Sequence, residues 1–220
     1  MTTLVSDIIS KIEYERYNAT MSRHWTNLRV LFTRHIIPVQ AIVPVIPFLL
    51  IHSAAISDIR VRAEELIYDH YGNDKTIEYQ KYVVPSGRKE LIEKNSTMRY
   101  MFPHVYIWRI SERDSLIGLA ILDNVKGKSL PITFIIFFDH IGNIIGSHIV
   151  KYREDYGWEV GNRRWLDQFL GLNHGSVYVV GNNIDGISGA TISVNSVTRG
   201  MKRSSLLAKL LIKERYDGSK

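Results

Sequence analysis

Hydrophobic and polar positions change their period several times along the chain, and each change marks an expected element. Ile36 to Ser57 reads IIPVQAIVPVIPFLLIHSAAIS, 22 residues with no Asp, Glu, Lys or Arg, long enough to cross a hydrocarbon core as a helix. Pro38 suits a first turn, whereas Pro44 and Pro47 would interrupt the hydrogen-bond ladder of such a span and kink it. Ile59, Ala63, Leu66 and Ile67 fall on one face of a helix over 58–70. After Gly72-Asn73 the pattern predicts a short strand near 77–84, a helix at 87–94 and a strand near 104–110.

The signal then sharpens. Leu116–Leu122 reads as a strand, Lys126-Gly127-Lys128 as a turn, and Ile132–Phe138 as a continuous apolar run typical of a buried strand. A Gly-Asn turn over Asp139–Asn143 leads to Ile144–Val150 as hairpin partner, so an antiparallel sheet is expected. Asn162 to Gly171 reads as a helix with an Asn N-cap and a Gly stop, placing Trp165 and Phe169 on one face. Val177–Val180 reads as a further short strand. Val194, Val197, Met201, Ala208 and Leu211, with Leu207 beside them, predict a long closing helix from about Ser193 to Arg215. The fold class expected is α+β: a transmembrane helix, then an antiparallel sheet, then a long C-terminal helix. The division expected is a 1–35 cytoplasmic segment, a 36–57 anchor, a 58–114 connecting α/β region and a 115–220 domain.

Composition narrows the chemistry. The chain has no cysteine, which excludes disulfides, thiolate-held iron–sulfur clusters, c-type haem and cysteine nucleophiles. Its eight His show no ligand spacing, so no metal site is expected. His140 and His148 read as surface or capped histidines. The net charge of +6 sits at the ends: 1–35 holds five Lys/Arg against three Asp/Glu, and 199–220 holds seven against two. A nucleic-acid binder would spread basic and aromatic residues across its folded body, so nucleic acid is not expected as a partner. Arg16, Arg23, Arg29 and Arg34 precede the apolar run and only Arg60 and Arg62 follow closely. A single pass with a cytoplasmic N-terminus and the folded part outside is therefore expected. A cleaved signal peptide, with Ser53-Ala54-Ala55 near its end, and a buried core helix are the other readings of the run. The basic tail reads as a solvated helix face, or as a surface for an acidic partner or lipid headgroups.

Chemistry concentrates in Asp185-Gly186-Ile187-Ser188-Gly189-Ala190-Thr191, directly before the long helix. Small residues at 188–190 allow a tight turn and leave the Thr191 hydroxyl accessible. A helix N-terminus favours a phosphate there, and Arg199, Lys202 and Arg203 on the same helix add positive potential, less if they point to solvent.

These residues resemble the FMN-binding domain of the flavin-carrying subunits of the Rnf complex and of the sodium-pumping NADH:quinone reductase. Asp185, Ser188, Gly189, Ala190 and Thr191 match the family pattern Asp-x-x-Ser/Thr-Gly-Ala-Thr position by position. The resemblance implies that a flavin transferase joins FMN through a phosphoester to Thr191. Glu154, Gly157 and Trp165-Leu166-Asp167-Gln168-Phe169 resemble the family segment near the flavin, although Gly157-Trp158-Glu159 stands where the family often has Gly-Leu-Gly. Glu154 reads as a shaper of the flavin pocket or as a solvated acid. Trp158 and Trp165 read as stacking partners or as core.

The resemblance spans about 115–205 and implies a membrane-anchored electron carrier with covalent FMN. Its expected partners are other subunits of a membrane redox complex, the transferase and membrane lipid. No general base or substrate pocket is evident, so no catalytic residue is assigned. A flavin-free structural or assembly subunit and a non-covalent FMN-binding module are the alternatives.

Overall fold

The computed structural model describes the backbone of residues 45–217 and the side chains of 58–214. Ile56–Lys220 is one compact unit. Five strands form a single antiparallel meander in chain order. They are β1 (Thr76–Val83), β2 (His104–Glu112), β3 (Ser115–Lys126), β4 (Pro131–Asp139) and β5 (Ile144–Lys151). Helix α1 (Val45–Tyr71) precedes them and α2 (Ser86–Ser96) lies between β1 and β2. After β5 come a 3-10 turn (Trp158–Gly161), the one-turn helix α3 (Arg163–Leu166), a second 3-10 turn (Asp167–Phe169) and the 27-residue α4 (Thr191–Asp217).

The alternation of side chains along the central strands builds two cores. Val105, Ile107, Leu119, Ile121, Phe134 and Ile136 point to one face and pack with Val194, Val197 and Met201 of α4. Trp108, Ala120, Leu122, Ile135 and Phe137 point to the other and pack with Ala63, Leu66 and Ile67 of α1. Burial on both faces is why β4 reads as an unbroken apolar run. Strand β1 and β2 continue the sheet that β3–β5 begin, so the 58–114 stretch shares both cores with the rest.

The two long helices, α4 and α1, each come close to the sheet at a glycine. A Cβ on Gly200 of α4 would lie 2.6 Å from Val125 Cγ1 and 2.9 Å from Phe134 Cζ. A Cβ on Gly118 of β3 would lie 2.5 Å from the Tyr71 ring at the end of α1. The α4 face also holds a buried ion pair. Arg203 donates to Asp123 Oδ2 from Nη2 (2.7 Å) and Nε (3.1 Å), and to the carbonyls of Arg99 and Asn124. Its guanidinium also lies over the Tyr100 ring. Arg203 is thus neutralised inside the core and adds no field at the helix start, contrary to the sequence expectation.

Three expected elements differ. Val177–Val180 is no strand: only Val180 bridges to Ile184. Asn183 instead clamps this segment, its side chain accepting from Val179 N and donating to Val177 O. The 162–171 helix is broken into α3 and a 3-10 turn, although Asn162 does cap it by accepting from Arg164 N. Pro47 falls in the first turn of α1, where its missing N–H leaves no hydrogen bond unmade. Of the expected membrane run 36–57, residues 36–44 lie outside the described residues, as does the 1–35 segment. Among the described residues no helix is long and apolar enough to cross a membrane.

Candidate functional site

The motif 185–191 is a loop pinned at three apolar points and open between them. Ile184 and Ala190 are buried and Ile187 packs against the core, while Asp185, Ser188, Gly189 and Thr191 are exposed. Both backbone polar groups of Asp185 are held: Trp165 Nε1 donates to its carbonyl (2.8 Å), and its N–H donates to Gln168 Oε1 (2.8 Å). Gln168 in turn donates to the Trp165 carbonyl (3.1 Å). The short turns over 163–169 therefore act as a clamp that fixes where the motif starts.

The loop closes through Gly189, whose φ of 79° favours glycine. Ala190 N–H bonds Ile187 O (3.1 Å), and Ala190 O accepts the first α4 bond from Val194 N (2.9 Å). Ala190 thus occupies the N-cap position, where an alanine has no oxygen to offer the first-turn N–H groups. Thr191 is the first residue of the helix, exposed, its carbonyl accepting from Asn195 Nδ2 (2.8 Å). A helix start with free donors and an exposed hydroxyl suits a phosphate ester.

A second segment buttresses this start. Gly157 has φ 87°, and a Cβ there would meet Tyr152 Oη at 2.7 Å and Ser193 Oγ at 3.0 Å. The Tyr152 hydroxyl is hydrogen-bonded to Ser193 Oγ (2.9 Å) and to the Tyr156 carbonyl. Tyr156 and Trp158, on either side of Gly157, are exposed. Along the next turns of α4 a polar cleft of about 310 Å³ is lined by Asn195, Thr198, Arg199 and Lys202, opposite Thr97 and Val179. The Thr198 hydroxyl there is buried without a hydrogen-bond partner.

The candidate residues divide into groups. Asp185, Ser188, Gly189, Ala190 and Thr191 form one continuous turn, with Trp165 beneath it. Trp165 is only 6% exposed, so its ring acts as a support, and among the described tryptophans Trp158 is the one with a free face. Glu154 does different work: its Oε1 accepts from Ser129 N (2.6 Å) and Leu130 N (2.9 Å), closing the β3–β4 turn. Those N–H donors hold its carboxyl below the usual glutamate range. Gly127 is required beside it, because a Cβ would lie 2.8 Å from the Leu130 carbonyl oxygen as well as 2.5 Å from Glu154 Oε1. Sequence reasoning missed Tyr152 and Ser193, which are 41 positions apart and share no motif.

Among the described residues no carboxylate or imidazole hydrogen-bonds the Thr191 hydroxyl. The turn therefore offers an acceptor hydroxyl and not a self-activated nucleophile.

Residues 127–205 match the family model described as FMN-binding domain. No curated protein matches the chain. The matched stretch runs from the β3–β4 turn into α4, so it contains the whole 185–191 turn and its supports. Over this stretch the chain is similar to an FMN-binding domain, and flavin binding for electron transfer is the activity class the match suggests. The residues fit the group: an exposed hydroxyl at an uncapped helix start, with a cleft bearing Arg199 and Lys202 further along the same helix.

Proposed function

We propose that this protein is an electron carrier holding FMN through a phosphoester on Thr191, tethered to a membrane by 36–57 within a redox complex. The observation that carries the reading is the exposed Thr191 at the uncapped start of α4, inside a pinned Asp185–Thr191 turn and within the FMN-binding match. When bound, FMN supplies one- and two-electron chemistry.

The chain's own residues position and shield. Trp165 and Gln168 fix Asp185, Gly189 turns the backbone outward, and Tyr152 with Gly157 holds the helix start through Ser193. The first-turn N–H groups favour the phosphate, and Arg199 and Lys202 add positive potential. Attachment through the phosphate leaves the ring free to exchange electrons with partners. A flavin transferase would modify Thr191 on the extracytoplasmic side, and neighbouring subunits of the complex would donate and accept the electrons.

Non-covalent FMN binding is the second reading, favoured by the polar cleft with its unpartnered Thr198 hydroxyl. Protein purified from its native membrane, denatured and filtered, separates the two. Flavin fluorescence retained on the denatured chain supports the tether. Flavin in the filtrate assigns the domain to reversible binding, and flavin in neither fraction assigns it to a structural subunit.

A further inference from the structure

The sheet has a second concave site on the face opposite α4. Residues His104, Tyr106 and Trp108 alternate along β2, so their rings line one face as a continuous rail. His104 meets Tyr106 edge-on at 5.2 Å, and Tyr79 of the neighbouring β1 stacks near Tyr106 (6.0 Å, 16°) and Trp108 (5.3 Å). Helix α1 covers this face over Trp108, Ala120 and Phe137. Beside its Ile59–Arg60 turn it leaves a cleft of about 380 Å³, within the ~300–1,000 Å³ range of small-molecule sites.

The charged groups in this cleft are all cationic. Arg60, Lys81 and Arg153 line it, and no Asp or Glu does. Arg60 is engaged, with Glu64 at 2.8 Å and the Tyr79 ring at 4.1 Å. Arg153 is half-buried, and its Nη1 donates to Pro131 O (2.8 Å) and Thr133 Oγ1 (3.0 Å). Among the described residues no carboxylate pairs with Arg153 or Lys81. Burial lowers the Arg153 pKa. A partly desolvated guanidinium without a counter-charge, fixed by two neutral acceptors, costs stability unless an anion meets it. The 1–35 segment, with five basic residues against three acidic, does not complement it.

We propose that this cleft binds a flat aromatic anion, its ring on the partly exposed Tyr79, His104 and Tyr106 rings above the buried Trp108, and its negative head at Arg153 and Lys81. An aryl carboxylate and a mononucleotide share that chemistry. Arg153 pairs with the head through guanidinium donors that Pro131 and Thr133 leave free, and the aromatic rail supplies stacking area. The site lies across the sheet from Thr191 and does not depend on the flavin reading.

Calorimetric titration of the full-length chain with 2-naphthoate, 2-naphthamide and AMP tests this. Naphthoate or AMP is expected to bind with a Kd below about 1 mM, and whichever binds tighter assigns the head as carboxylate or phosphate. The neutral amide should bind at least about tenfold more weakly than naphthoate, as should naphthoate to the Arg153→Gln chain. Lys81→Glu, at an exposed position that cannot disturb the fold, should weaken naphthoate and AMP similarly. Thr191→Val should leave both affinities unchanged. Absence of binding by both anions, equal affinity for the amide, or full affinity in Lys81→Glu would overturn the proposal.

Discussion

The two faces of the sheet are built on opposite plans. On the α4 face one 27-residue helix runs against the strands, a buried Arg203–Asp123 pair locks it, and the candidate flavin turn sits at its first residue. On the α1 face the helix covers only part of the strands, and a cation-lined aromatic cleft remains beside it. The difference teaches where rigidity is placed. On the face that carries the candidate attachment turn the buried charge is paired and the helix is locked to the sheet, whereas the opposite face keeps a half-buried Arg153 with no carboxylate partner among the described residues.

The comparison can be broken first at the attachment turn. Thr191→Val should remove covalent flavin entirely while leaving the melting temperature unchanged, because the side chain is exposed and packs nothing. Thr191→Ser, which keeps a hydroxyl, should restore some of it, with in-gel flavin fluorescence as the readout.

The next largest effect concerns the lock. Arg203→Met leaves the Asp123 carboxylate buried and unpaired, which should cost about 3–5 kcal/mol in urea denaturation. Adding Asp123→Asn should recover part of that loss, since the two residues share one network. A loss confined to surface-pair size would show that the α4 face is not locked by this pair.

A matched pair of glycine substitutions then compares the faces directly. Gly200→Ala drives a methyl into Val125 and the Phe134 ring inside the core, for an expected ~1–3 kcal/mol. Gly118→Ala meets the Tyr71 ring alone, and displacing that ring breaks one hydrogen bond, Tyr71 Oη to Phe138 O, so it should cost less than the clash inside the core. The reverse order would mean that the α1 face is the tighter one.

The smallest effect is a pH dependence on the α1 face. His70 stacks on Phe137 at 4.6 Å, and His148 lies 5.9 Å from the same ring. Burial lowers both pKa values, and nearby positive charge, Arg163 included, lowers them further. The folded state therefore binds these protons less readily than the unfolded chain. Stability is full above the ordinary histidine value of 6.5 and falls as the pH drops from there toward the depressed folded values. Melting temperatures measured from about pH 7 to about pH 5 should decline, and the decline should shrink in His70→Phe.

Much of this architecture was legible in the residue pattern, and the exceptions have physical reasons. The β3–β5 strands stood out because apolar, β-branched runs between turn residues leave few alternatives. Ser193–Arg215 was read nearly to its ends because α4 buries a regular stripe. Val177–Val180 misled because Tyr178 turns fully inward between the exposed Val177 and Val179, its hydroxyl meeting Ser205 and burial pushing its pKa up to about 12. One inward residue between two outward valines imitates a strand without any edge to pair with. The turn 185–191 was legible as a motif, but its supports were not. That Trp165 holds a carbonyl, that Glu154 closes a turn, and that Tyr152 reaches Ser193 are tertiary contacts that no local spacing encodes.

The central claim is the flavin tether, and the most direct measurement is intact-mass analysis of the chain from its native membrane, with peptide mapping across 185–199. One added FMN moiety, localised to Thr191, is the expected result. An unmodified Thr191 in native material, or FMN mapped to another residue, would contradict it.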